Sequence, residues 1–339
     1  MVRNYDKKPR FIYVDNLRSF VIILVILMHS AVTYSGIGGW YYKEGLQENL
    51  PIIEMALFGI MQSFTQAWFM GILFFISAFL AAKSFAKRGP GAFIKERLLR
   101  LGSTGPLWFV EALLLFCLLY TFIRFVFPKH KNNNTNWVET KKIAALILLA
   151  GILAFIVRLW FPIGSDVLNL QFSFFPSYIV LFILGIITGE NNLFDYVSEE
   201  KNIRWFKRAL IIGIPSWLLI MLFGGALKGE MFIYGGLYWQ SFAYAVWEAF
   251  IAIGFSIGLI AFFKKYLNTD TPYTRLLAEK SFSIYVFHAP FLISVSLLLK
   301  NWTIDPLVKF LAAAFITFMA CLVFSMVIHK IKPIRVVLK

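Results

Sequence analysis

The sequence predicts an all-α fold, a polytopic membrane bundle of about ten transmembrane helices, on three observations. Of 339 residues, 59% are hydrophobic and 15% charged, and the mean hydropathy is +0.72. A water-soluble domain averages about 45–50% apolar and about 25% charged residues. Apolar stretches close to the roughly 20 residues that cross a bilayer recur along the whole chain. The polar gaps between them are too short to hold a folded soluble domain. One integral-membrane domain over residues 1–339, with no appended soluble domain, is therefore expected, and any chemistry must lie inside the bundle.

The stretches fall at 17–35, 65–86, 104–127, 143–161, 172–189, 208–227, 237–263, 281–299 and 306–328. The first follows a basic start, as a signal peptide would, but Arg18 and His29 interrupt it and no A-x-A site follows, so it reads as a retained helix. The second ends at the turn Lys87-Arg88-Gly89-Pro90-Gly91. A polar gap at 128–142, with a short Asn132-Asn133-Asn134 run, separates the third from the fourth. Gly224-Gly225 and Gly235-Gly236 bracket a turn before the seventh. Cys117 and Cys321 both lie in apolar runs, so neither a disulfide framework nor a metal site is expected.

The net charge of +15 fits cytoplasmic loops rich in Lys and Arg better than a nucleic-acid partner. Arg3, Lys7, Lys8 and Arg10 precede the first span, and Lys83, Lys87, Arg88, Lys95, Arg97 and Arg100 follow the second. Lys330, Lys332, Arg335 and Lys339 close the chain. Both termini are thus predicted cytoplasmic, in a multi-pass protein of the cell membrane, and this requires an even number of crossings. Nine stretches are odd, and a short or broken tenth helix is expected within Met231 to Lys265. In that scheme Lys129, Lys131, Lys141 and Lys142 fall outside, against the charge rule.

A charge at mid-membrane costs about 2.5–3.5 kcal/mol on insertion scales, so each one kept there is a functional candidate. Arg18 and His29 are eleven residues apart; at 100° per residue they share a helix face, about 16 Å apart along the axis. Asp15 stands three residues before Arg18 and can pair with it. A plainer reading makes Arg18 a snorkelling anchor and His29 a partner of a neighbouring carbonyl. Arg97 and Arg100 share one side of a short helix, and paired guanidinium forks suit a ligand bearing several phosphates; lipid headgroups are the competing ligand. Tyr285 and His288, three apart, can hydrogen-bond within the bundle, in catalysis or simply to position a helix. Glu111, beside Trp108, and Glu248, beside Trp247, are carboxylates in apolar runs, expected to be paired or protonated. His130 and His329 are expected to be solvated.

These residues resemble the acyltransferase-3 membrane O-acyltransferases, most closely the branch containing glucan biosynthesis protein C, a succinyltransferase-like protein. Asp15, Leu17-Arg18 and His29 match the first-span pattern, and Phe74-Phe75-Ile76-Ser77-Ala78-Phe79 is similar to the second span, with Ala78 where glycine is common. Arg97 and Arg100 match the Arg-x-x-Arg motif, Leu107-Trp108-Phe109 the third-span motif, and Ser283, Tyr285 and His288 the late Tyr-x-x-His. The proline that often follows Arg-x-x-Arg is delayed to Pro106. The resemblance implies acyl-CoA, acetyl-CoA or succinyl-CoA, as cytoplasmic co-substrate, transfer to a hydroxyl of an extracytoplasmic acceptor such as a glycan, and Arg18, His29, Arg97 and Arg100 as functional residues.

On this reading His29, with a reference pKa near about 6.5, takes the acceptor hydroxyl's proton, while Arg97 and Arg100 hold phosphates and Arg18 positions the cofactor arm or balances Asp15. An acyl-histidine intermediate is the alternative chemistry. A different class also fits: a proton-coupled transporter or exporter relaying through His29, Glu111 and Glu248, although the inverted repeats that would support it are not evident. An anchor without chemistry would leave the buried ionisable residues without purpose. The acceptor, the acyl group and the oligomeric state stay open at this point.

Overall fold

The computed structural model describes residues 10–45, 50–102, 107–127, 140–193, 199–332 and 337–338. Arg3, Lys7, Lys8, Pro106, Lys129, His130, Lys131, Asn132, Asn133, Asn134, Arg335 and Lys339 lie outside the described residues. Among the described residues there are ten α-helices and no β-strand: α1 (Ile12–Ser35), α2 (Ile52–Arg88), α3 (Pro90–Leu101), α4 (Trp108–Val126), α5 (Thr140–Arg158), α6 (Phe175–Asn191), α7 (Glu199–Phe223), α8 (Trp239–Tyr266), α9 (Pro272–Leu298) and α10 (Pro306–Ile328). Among the described residues nine helical segments are long and apolar enough to cross a membrane. The exception is α3, whose 12 residues reach only about 18 Å.

The helix ends follow local chemistry. Gly36, at φ 71°, closes α1 by donating its N–H to the Val32 carbonyl. Gly89, at φ 76°, stops α2, and Pro90 restarts the chain at once as α3, because proline suits the first helical position and glycine the left-handed stop. Thr271 and Thr274 cap α9 reciprocally, and the Asp305 carboxylate accepts from the N–H groups of Leu307 and Val308 to open α10.

Contacts between helices fix their directions. Asn16, at the start of α1, donates to the carbonyls of Leu267 and Thr269 at the end of α8, so these share one end of the bundle. Gln62 donates to Ser35 at the opposite, far end, which makes α2 antiparallel to α1. Gly258 lies on Phe206 and Gly213 on Ile251, so α7 opposes α8; Gly151 lies on Val246 and Phe155 on Phe242, so α5 opposes it too. α9 climbs beside α1, and α10 descends from Asp305 to place His329 against Ser283.

The tenth helix is therefore found, but not within 231–265. That segment holds a 3-10 turn (Phe232–Tyr234) and one continuous helix, α8. The extra helix is α3, which folds back along α2 with Phe93 on Phe85. α4 then returns parallel to α2 and α6, bringing Tyr120 onto Phe85 and Arg124 onto Glu190. The α3–α4 hairpin enters and leaves at the same end. Phe127 and Thr140, which flank the 128–139 gap, consequently lie at the end of Arg10 and Arg88, and the expected exception to the charge rule at Lys141 and Lys142 disappears. At the far end stand Lys43, Lys228 and Lys300, with Arg158 and Lys309 buried in ion pairs.

Close packing of α2 on α6 rests on glycine. A Cβ at Gly185 would come within 2.3 Å of the Phe75 carbonyl oxygen, and one at Gly189 within 2.7 Å of that of Phe79. Small residues four apart let two membrane helices approach backbone to backbone.

Candidate functional site

α1 and α9 run side by side and form two rungs. At the lower rung Arg18 donates from Nε to the Ser281 hydroxyl at 3.2 Å and from Nη2 to the Ala278 carbonyl at 3.1 Å, and it pairs with Asp15 at 2.9 Å. Asp15 also takes Arg10 at 2.7 Å, so the expected Asp15–Arg18 pair forms within a small network at the near end. Fourteen residues of helix, about 21 Å, separate Asp15 from His29, and Asp15 contacts two arginines at the near end.

The short helix α3 carries Arg97 and Arg100 to this same rung. Arg97 lies over the Phe93 ring at 5.1 Å, and its buried Nε has no partner among the described residues. Arg100 meets Glu96 at 3.7 Å, while Glu96 also holds Arg88. Burial first, then the like charge of Arg97 and, further off, that of Arg18, push the Arg100 pKa down from the ordinary arginine value, and Glu96 offsets only part of this. Arg18 is paired with Asp15 and Arg100 with Glu96, while Arg97 keeps an unpartnered Nε; guanidinium groups in this setting can take an anion.

The upper rung is a stack of three rings. The His29 imidazole lies on the Trp40 indole with centroids 3.7 Å apart and planes 17° apart. His288 stacks on His29 at 5.2 Å and 19° and on Trp40 at 6.0 Å. His288 Nδ1 bonds to the Tyr285 carbonyl. His29 Nδ1, Trp40 Nε1 and His288 Nε2 are all buried without a partner among the described residues. Tyr285 packs on His288 at 5.6 Å and edge-on against Phe109 at 5.7 Å, which brings α4 beside the stack, and Trp108 of α4 stacks on Tyr178 of α6 at 5.9 Å. Three unspent ring nitrogens in one buried place are costly to folding and are repaid only by a ligand or water.

Trp40 reaches His29 because its loop is tied down. The backbone N–H groups of Glu44 and Gly45 donate to the Thr33 carbonyl at 2.8 and 3.1 Å, and the Glu44 carboxylate takes the Lys309 ammonium of α10. Trp40 is a functional candidate that sequence reasoning missed, since it lies in a polar gap eleven residues past His29 with no periodicity to link them.

Of the remaining sequence candidates, Glu248 finds a partner that could not be assigned from sequence: Arg158 Nη2 at 2.7 Å, with 0% and 2% of the two side chains exposed. Arg158, at the end of α5, was also missed, because a cation closing an apolar run looks like an ordinary interfacial anchor. Glu111 is half-buried in the first turn of α4 and makes no ion pair among the described residues. No hydrogen bond or ion pair among the described residues links His29, Glu111 and Glu248 to one another. His329 corrects an expectation: it is buried, with Nε2 2.6 Å from the Ser283 hydroxyl, because α10 packs its last turn on α9.

The chain matches the acyltransferase domain of the acyltransferase-3 family over residues 11–104 and 101–328. No curated protein and no solved structure matches it. The matched segments take in both rungs and every described α-helix, so the chain belongs to the acyltransferase-3 family of membrane acyltransferases.

Proposed function

We propose that the protein moves an acyl group, acetyl or succinyl, from acyl-CoA to a hydroxyl of an acceptor presented at the far end of the bundle, with His29 as general base. The basic end faces the cytoplasm of a cell membrane, and the acceptor is an extracytoplasmic glycan, as in the glucan biosynthesis protein C branch that the motifs resemble. One observation supports the reading most: α3 carries Arg97 and Arg100 close enough for the Arg18 charge to act on Arg100, and His29 stands about three turns further along the same face of α1. The roughly 16 Å between rungs is a span that an extended pantetheine arm covers, so phosphates at the arginines leave the thioester beside the imidazole.

At the reaction centre the acceptor oxygen attacks the thioester carbonyl carbon while His29 takes its proton. Collapse breaks the carbon–sulfur bond, and the imidazolium returns the proton to the CoA thiolate. Base catalysis of this kind is worth about 10²–10⁴-fold. CoA release from acetyl-CoA and succinyl-CoA tests it, using purified wild type and His29→Ala in lipid with a mixture of glycan acceptors. The expected result is acceptor-dependent release by wild type, and binding without release by the variant. Equal turnover removes His29 from the chemistry, and absence of acyl-CoA binding by wild type overturns the reading.

A further inference from the structure

Acyl transfer through a tetrahedral intermediate puts a negative charge on the former carbonyl oxygen, and that charge needs a hydrogen-bond donor already in place. The helices around His29 spend their backbone N–H groups internally and offer no donor there, whereas side chains can. Three unspent polar atoms cluster there: His29 Nδ1, Trp40 Nε1 and His288 Nε2. Their chemistry separates them. His288 Nδ1 is bonded to a carbonyl oxygen, which only accepts, so Nδ1 carries the proton and Nε2 is a bare lone pair. His29, acting as base through its unspent Nδ1, offers a lone pair there as well. An indole N–H only donates.

We propose that Trp40 is a further catalytic residue: its indole N–H donates to the thioester carbonyl oxygen as that oxygen becomes an oxyanion. The assignment rests on the acyltransfer reading of His29. The indole lies flat on the imidazole at 3.7 Å, and the two stacked rings each carry a buried nitrogen without a partner among the described residues, so a donor and a base are available within one stack. The donor is also preorganised. Gly36 and the Ser35 hydroxyl fix the loop's departure from α1, and Glu44 fixes its return through the Thr33 carbonyl and Lys309. In the step, the acceptor oxygen bonds to the carbonyl carbon and its proton passes to His29. The carbonyl π pair moves to oxygen and is held by the Trp40 N–H. Collapse restores the C=O, breaks the C–S bond and sends the proton to the thiolate.

Trp40→Phe keeps an aromatic ring on His29 and removes only the donor; Trp40→Ala removes both. Single-turnover thioester cleavage of bound acetyl-CoA with water as acceptor forms the same oxyanion, so it is read without knowing the natural acceptor. Wild type, His29→Ala and both Trp40 variants are compared in lipid for cleavage rate, acetyl-CoA affinity and thermal midpoint. Trp40→Phe is expected to lose about 10²–10³-fold in rate with affinity and midpoint unchanged. Wild-type cleavage in Trp40→Phe, with loss only in Trp40→Ala, makes the ring a packing surface and overturns the proposal. Weakened acetyl-CoA affinity at an unchanged rate overturns it too, by placing Trp40 in substrate binding. Wild-type cleavage no faster than that of His29→Ala fails the His29 reading itself, whatever the Trp40 variants do.

Discussion

Arg158 has no solvent exposure, and its guanidinium meets the Glu248 carboxylate at 2.7 Å between α5 and α8. Its Nη2 also reaches the Ser173 carbonyl at 3.4 Å, and the Phe174 and Tyr244 rings flank it at 5.8 and 5.7 Å. Breaking such a pair from one side strands the other charge, which costs about 3–5 kcal/mol, whereas removing both is often neutral. Arg158→Met should therefore lower the thermal midpoint strongly, and Arg158→Met with Glu248→Leu should recover most of it; a single variant as stable as wild type would show that the pair is idle. At the same scale, the sequence marks His29, Arg18 and Glu248 because each is a costly group in an apolar run. It cannot mark Trp40 or Lys309, because nothing about an aromatic residue in a loop or a cation near a helix start is unusual until its contacts are known.

Helix α3 is amphipathic and basic rather than apolar, and its contribution is to carry Arg97 and Arg100 back towards Arg18. Charge-assisted hydrogen bonds are worth about 1.5–3 kcal/mol each, so Arg97→Ala with Arg100→Ala should weaken acyl-CoA binding by about a hundredfold or more at an unchanged thermal midpoint. Unaltered affinity, measured on purified protein by calorimetry, would reassign the pair to lipid headgroups. The α2–α6 contact makes the opposite demand, for absence of a side chain. At Gly185 a Cβ would strike backbone, the Phe75 oxygen at 2.3 Å and then the Ala78 Cβ at 2.7 Å. Neither can rotate away, so Gly185→Val should cost about 1–3 kcal/mol or more by overpacking, read as a fall in midpoint. A variant at the wild-type midpoint would mean that the helices are free to separate. The Gly185–Gly189 spacing was present in the sequence, but spacing alone does not say which helix lies opposite.

For the whole molecule, the α3–α4 hairpin settles the parity of the bundle. With it, the ends of α4 and α10 and the starts of α1 and α5 all share one end, and the cationic residues gather there. Single cysteines at Arg88, Lys141 and Lys43, in a background lacking Cys117 and Cys321, test this arrangement with an impermeant maleimide applied from either side. Arg88→Cys and Lys141→Cys should react from one side and Lys43→Cys from the other. Lys141→Cys labelled together with Lys43→Cys would mean that α4 crosses fully and would undo the hairpin.

The membrane class, the order of the apolar spans and the shared face of Arg18 and His29 were determined by the sequence alone, because hydropathy and helical period are properties of neighbouring residues; the starts of α2, α7 and α9, 9 to 13 residues earlier than the apolar stretches, were not. The Asp15–Arg18 pair was readable for the same reason, being three residues apart on one helix. The tertiary structure alone decided that the tenth helix is α3 and that Glu248 answers Arg158, 90 residues away. It also buried His329 against Ser283 and laid Trp40 across His29. Each of these depends on contact between segments that sequence distance does not relate, and in a bundle of similar apolar helices such contacts are set by packing and by the pairing of buried polar groups.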